Sequence, residues 1–164
     1  MRTLLVLRHG KSSRKHTNLS DHDRPLSKRG KRDAPRVGQW LRSRRLSPGA
    51  IISSTAKRAR RTADEVAQSS TFSGTVQLES RLYLADPATI LDVVRSADAE
   101  AKRVMVVGHN PGLEELVARL TGHDEHLPTA TLAQISLPID RWGDLRLSTE
   151  GQLVSLWRPE EPEE

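Results

Sequence analysis

Two four-residue aliphatic runs, Leu4–Leu7 and Val104–Val107, constrain the fold of this chain more than any other feature. A strand that is apolar on both sides must be covered on both sides, which is the condition of an inner strand in a parallel sheet. Both runs stop abruptly: Thr3–Leu7 ends at Arg8-His9-Gly10, and Arg103–Val107 ends at Gly108-His109-Asn110-Pro111. Amphipathic segments lie between them. Gly30, Ala34, Val37, Gly38 and Leu41 recur at helical spacing after Ser27, a good cap for a helix reaching about Arg45. Pro35 predicts a later start or a bend in that helix. Ala50–Ser53 reads as a second strand, Lys57–Gln68 as a second helix and Thr75–Leu78 as a weak strand. Pro87 opens a third helix to about Ala97, and Asn110 and Pro111 supply the N-cap and first position of a fourth, to about Leu120. Ala130–Leu137 and Leu153–Trp157 are late strands. Buried strands alternating with helices predict a three-layer α/β/α sandwich around a mainly parallel sheet.

The 164 residues read as one domain over 1–158, with 159–164 as a flexible acidic tail. No apolar run approaches the roughly 20 residues of a membrane span, and the one after Arg2 is too short for a secretory signal. The chain has no cysteine, which excludes disulfides, thiolate nucleophiles and cysteine-bound zinc and suits the cytoplasm. Charge is unevenly placed: residues 1–61 hold 18 Lys/Arg against three Asp/Glu, a net of +15, and the remainder is net −10. That asymmetry points to an anionic partner: nucleic acid, a phosphorylated ligand or an acidic protein surface. Nucleic acid is the weaker fit, because Trp40 is the only aromatic residue before position 61 and offers no stacking platform.

Chemistry gathers at the strand ends. His9 follows the first strand and His109 the most aliphatic one, where ligands of open α/β sheets bind. Arg8 adjoins His9, and the run Lys57-Arg58-Ala59-Arg60-Arg61 opens the helix after Ala50–Ser53. Guanidinium groups suit phosphate oxygens, so two arginines and two histidines at one rim would grip a dianion without a metal. His123, Asp124, Glu125 and His126 lie between Gly122 and Pro128 and read as a solvated loop, not a metal site.

These residues carry a resemblance. Leu7-Arg8-His9-Gly10, Ser53–Ala63 and Val107-Gly108-His109-Asn110-Pro111 are similar to the three motifs of the histidine phosphatase (phosphoglycerate mutase-like) superfamily. With Asp23-Arg24-Pro25-Leu26, Arg29-Gly30 and Asp33-Ala34 they resemble its small SixA-like phosphohistidine phosphatase branch. The resemblance covers about residues 3–120 and implies a phosphoglycerate mutase-like fold. It implies that His9 is the nucleophile and carries a transient phosphoryl group, while Arg8, Arg58 and His109 bind the phosphoryl oxygens. Arg60 and Arg61 compete with Arg58 for this role, and the motif favours Arg58, the arginine before Ala59 and four residues before Thr62. No cofactor and no metal are implied. His9 must be neutral to attack, with its second nitrogen held by a backbone carbonyl.

Larger relatives place an acid between the second and third motifs. Here Asp86 is the only acid in Leu82–Pro87, and it suits a helix N-cap better than a proton donor. A site without a strong acid favours substrates whose leaving group needs none, such as phosphohistidine, over sugar phosphates. Lys15 stands where the mutase branch has Asn, with Asn18 beyond it; both are candidate substrate contacts. The expected activity is metal-independent hydrolysis of protein phosphohistidine. Small phosphate esters or nucleotides are the alternative substrates, and a non-enzymatic nucleic-acid or phosphate-binding protein is the alternative class.

Overall fold

The computed structural model describes residues 1–160. Six strands form one sheet: β1 (Arg2–Arg8), β2 (Ala50–Ser53), β3 (Gln77–Leu78), β4 (Arg103–Gly108), β5 (Leu132–Leu137) and β6 (Gln152–Trp157). The helices are α1 (Lys28–Ser43), α2 (Lys57–Ser69), α3 (Pro87–Arg95) and α4 (Gly112–Thr121). The strand order is β3-β2-β4-β1-β5-β6. β3, β2, β4 and β1 are mutually parallel; β5 runs against β1, and β6 against β5, so β5 alone points the other way. The sheet is the mainly parallel one the aliphatic runs predict.

The two runs are the centre of that sheet, paired Leu4 with Val104 through Leu7 with Val107. Successive side chains point to opposite faces. Leu4, Val6, Val104 and Val106 join the core beneath α3 and α4, and Leu5, Leu7, Met105 and Val107 join the core beneath α1 and α2. Coverage on both faces is why no polar residue interrupts either run.

Ser27 caps α1, its Oγ accepting the Gly30 N–H at 3.2 Å. The helix starts at Lys28 and continues through Pro35, so the expected later start is not found. A mid-helix proline costs about 3 kcal/mol. Packing offsets it: Ala34, Val37, Gly38 and Leu41 are buried on one face of the helix. Gly38 is the point of closest approach to α2, where a Cβ would lie 2.7 Å from the Val66 carbonyl oxygen and 1.9 Å from Ser69 Oγ. Asn110 does not cap α4. Its Nδ2 donates to the Leu127 carbonyl at 2.8 Å, and Pro111 precedes a helix that begins at Gly112. A tertiary acceptor has outcompeted the local cap.

The C-terminal strand is fastened to α1. Trp157 stacks on Trp40 with ring centroids 4.9 Å apart and planes 14° apart. Pro159, at the start of the segment read as a tail, is buried, and the Glu160 carbonyl accepts from Arg36 Nη1 at 2.8 Å. Residues 161–164 lie outside the described residues.

Candidate active site

The C-terminal ends of β1, β2 and β4 converge on a hollow of about 290 Å³. Arg8, His9, Arg58 and His109 all line it, together with Lys11, Ser12, Arg14, Arg24 and Asn110. Among the described residues, no carboxyl group does.

His9 is 6% exposed, and its backbone is held on three sides. Its N–H donates to the Gly108 carbonyl at 3.2 Å, its carbonyl accepts the Ala130 N–H at 3.0 Å, and the next N–H, of Gly10, donates to Thr62 Oγ1 at 3.0 Å. Ala130 takes φ 60°, a left-handed conformation that costs a non-glycine residue about 1 kcal/mol or more. The ring is oriented as well. Nδ1 lies 2.7 Å from the Gly10 carbonyl oxygen, which can only accept, so the ring proton sits on Nδ1 and Nε2 keeps its lone pair. Arg58 Nε is 3.4 Å from that Nε2. Burial, aided by the charges of Arg58, Arg8 and Arg24 and opposed by the Gly10 carbonyl, lowers the His9 pKa to about 4. At neutral pH His9 is a neutral imidazole whose Nε2 lone pair faces cations, Arg58 Nε among them.

His109 is 3% exposed, its ring centroid 5.1 Å from that of His9. Arg58 Nη2 lies 3.4 Å from Nδ1, and a guanidinium can only donate, so Nδ1 is the acceptor. Nε2 then donates to Ser54 Oγ at 2.8 Å. Burial, then the neighbouring His9 and Arg58, lowers the His109 pKa to about 3.

Arg58 is 3% exposed despite lying in the first turn of α2. Its Nη1 donates to the Asp21 carbonyl at 2.7 Å and its Nη2 to Asp21 Oδ2 at 3.0 Å. Arg61, the rival candidate, is exposed and pairs with Glu65 at 3.8 Å. Arg8 Nη1 donates to the Leu127 carbonyl at 3.1 Å, while Arg8 Nε and Asn110 Oδ1 are buried without a partner among the described residues. Polar capacity is thus left over on the wall of the hollow.

Sequence reasoning missed Asp21. Its Oδ2 accepts from Arg58 and, at 2.5 Å, from Tyr83 Oη; its Oδ1 accepts from Arg24 Nε at 3.1 Å. These bonds, that from Tyr83 first, hold its carboxyl well below the ordinary range. Glu114 was missed too: its Oε2 accepts the Leu127 N–H at 2.7 Å and faces His126 Nδ1 at 2.7 Å, fixing the segment that presents the Leu127 carbonyl to Arg8. Neither acid lies in a motif, and only the folded loop shows their targets.

Three candidate residues lie outside the His9 hollow. Asp86 caps α3 by accepting the Thr89 N–H at 2.9 Å, a bond that holds its carboxyl below the ordinary value. It lines a separate depression with Pro87 and Glu115, so it is neither placed nor protonated to serve as the acid at His9. Lys15 lines a hollow next to the one at His9, and exposed Asn18 meets Thr17 at 3.5 Å; neither lines the His9 hollow. The reason is local pairing: Ser12 bridges to Leu26, and the Ser13 N–H donates to the Pro25 carbonyl at 2.8 Å, turning the chain toward α1.

Fold and site together define an α/β protein with a neutral imidazole at one strand end and a ring of guanidinium groups suited to an anion around it. The model of the histidine phosphatase superfamily (branch 1) matches residues 4–83. A Mycobacterium leprae relative, an uncharacterized protein, is 31% identical over 93% of this chain and 99% of its own. The chain belongs to the histidine phosphatase superfamily. Among solved structures, a Nakamurella multipartitia protein provisionally assigned as phosphohistidine phosphatase SixA superposes with a TM-score of 0.85 at 29% identity, covering 96% of each chain. One from Agrobacterium tumefaciens with the same provisional assignment gives a TM-score of 0.79 at 26% identity, over 96% of this chain and 98% of that one.

Proposed function

We propose that this phosphatase hydrolyses the N-phosphoryl group of protein phosphohistidine through a covalent phospho-His9 intermediate. The observation that carries the reading is the lining of the hollow: a neutral histidine that keeps its Nε2 lone pair, four arginines, and no carboxyl group among the described residues. Such a site stabilises negative charge on a phosphoryl group but has no acid to hand to an alkoxide. A phosphohistidine whose second ring nitrogen already carries a proton needs none, since it departs as neutral imidazole.

In the first step the Nε2 lone pair attacks phosphorus in line and the P–N bond to the substrate imidazole breaks, its electron pair returning to the leaving nitrogen; the proton on that ring's other nitrogen lets it depart as neutral imidazole. Arg8 and Arg58 hold the equatorial oxygens beside the His109 ring, and the Gly10 carbonyl accepts the Nδ1 proton's hydrogen bond as positive charge spreads into the phosphorylated ring. In the second step water attacks phosphorus, the bond to Nε2 breaks, and inorganic phosphate leaves with the His9 lone pair restored.

The test is incubation with a labelled phosphohistidine protein and with p-nitrophenyl phosphate, each with EDTA and with vanadate. We expect the protein to be the better substrate, with activity that survives EDTA, is blocked by vanadate and is lost in His9→Ala. Faster turnover of small esters such as glycerate phosphates would favour the ester-phosphatase reading instead.

A further inference from the structure

The chain has 20 arginines but six lysines, and four of the six (Lys11, Lys15, Lys28 and Lys31) line one hollow of about 430 Å³. Lys11 also lines the catalytic hollow, so the two are contiguous. The base is fixed backbone. Ser12 bridges to Leu26, the Ser27 N–H donates to the Lys11 carbonyl at 2.8 Å, and a Cβ on Gly30 would lie 2.2 Å from that same oxygen. The first turn of α1 therefore rests directly on the segment after His9.

Among the described residues these lysines have no ion-pair partner. The three carboxylates of residues 1–61 are engaged elsewhere: Asp21 with Arg24 and Arg58, Asp23 with His22, and Asp33 with Arg29, Arg32 and Arg36. Among the described residues no carboxylate stands at ion-pair distance from Lys11, Lys15, Lys28 or Lys31. Lys28 and Lys31 also stand in the first turn of α1, which carries no acid and whose dipole repels cations. The fold gives up stability to keep positive charge there.

Residue type separates the two hollows. The catalytic one uses arginine, whose rigid fork matches phosphate oxygens. The neighbouring one is dominated by lysine, a flexible, hydrated point charge suited to a string of carboxylates in no fixed geometry. We propose that the lysine hollow docks an acidic stretch of the polypeptide that carries the phosphoryl group, Asp and Glu side chains lying against Lys11, Lys15, Lys28 and Lys31 while the phosphohistidine occupies the catalytic hollow. This rests on the reading of protein phosphohistidine as substrate and specifies what surrounds that histidine in the partner's chain.

The test uses free phosphohistidine and two synthetic phosphohistidine peptides of equal length. One peptide has Asp and Glu on both sides of the phosphohistidine; the other has Asn and Gln at those positions. Wild type should show a kcat/KM about tenfold higher for the acidic peptide at low ionic strength, with the gap closing by about 0.5 M salt. Lys28→Glu/Lys31→Glu should abolish or invert that preference, mainly through KM, and leave free phosphohistidine turnover within about twofold. Placing acids in the first turn of α1 favours the helix dipole, so the variant folds. Equal turnover of both peptides by wild type, or a parallel loss on free phosphohistidine in the variant, overturns the docking site. Failure of wild type to hydrolyse even free phosphohistidine overturns the substrate reading itself, and the docking site with it.

Discussion

Arg58 is 3% exposed yet keeps a charge, and it does so through Asp21, whose carbonyl and carboxylate hold both terminal nitrogens. A buried guanidinium stripped of that partner is costly and loosely aimed. Arg58→Ala should lower kcat/KM about 10²- to 10³-fold, the usual effect of losing one donor to transition-state charge. Asp21→Asn should lower it about tenfold to a hundredfold, because Arg58 is misplaced but present. Arg61→Ala, at an exposed position, should stay within about twofold. Loss in Arg61→Ala with Arg58→Ala spared would overturn the assignment. At this scale the sequence was informative wherever a side chain acts from a strand or helix end: Arg8, His9, Arg58 and His109 meet as expected. It was silent on Asp21 and Glu114, which act across the fold on residues 37 and 13 positions away. It could not place Asn18 and Lys15, since a polar loop carries no periodicity from which its path can be read.

Elements were legible in proportion to their hydrophobic period. β1 and β4 were unmistakable, and α2 was placed to within a residue. β3 shrank to Gln77–Leu78, both exposed, because it is a sheet edge with nothing to bury. The α4 start was misread because the Leu127 carbonyl, a long-range acceptor, takes the side chain that a local rule assigns to the cap. Between α1 and α2 the contact is nearly backbone to backbone at Gly38. Gly38→Ala should destabilise the protein by about 1–3 kcal/mol, the range for overpacking, although alanine is the better helix former. A fall in thermal midpoint without loss of helical circular dichroism at low temperature is the expected result; a raised midpoint would mean that the helices can part at no cost.

Taken whole, the molecule buries two imidazoles in the neutral form, and this shapes its response to acid. An unfolded histidine takes up its proton near pH 6.5. Folded His9 does so near pH 4 and His109 near pH 3. Between these limits the unfolded chain binds more protons, so the stability these two supply is complete above about pH 6.5 and drains away as pH falls toward 4. The urea midpoint should therefore be lower at pH 5 than at pH 7, and the difference should shrink in a His9→Asn/His109→Asn double variant. An unchanged midpoint in wild type would show that the rings are not held neutral. The uneven charge of the sequence also takes its meaning at this scale, because part of the surplus of the first 61 residues lines the site and its neighbouring hollow while part faces solvent elsewhere on α1.

One packing detail has an optical consequence. Trp40 and Trp157, stacked nearly parallel with centroids 4.9 Å apart, join the first helix to the last strand. Indoles held face to face share their electronic excitation. The chain therefore carries an exciton pair whose ellipticity couplet reports, without any added label, whether its final strand is seated.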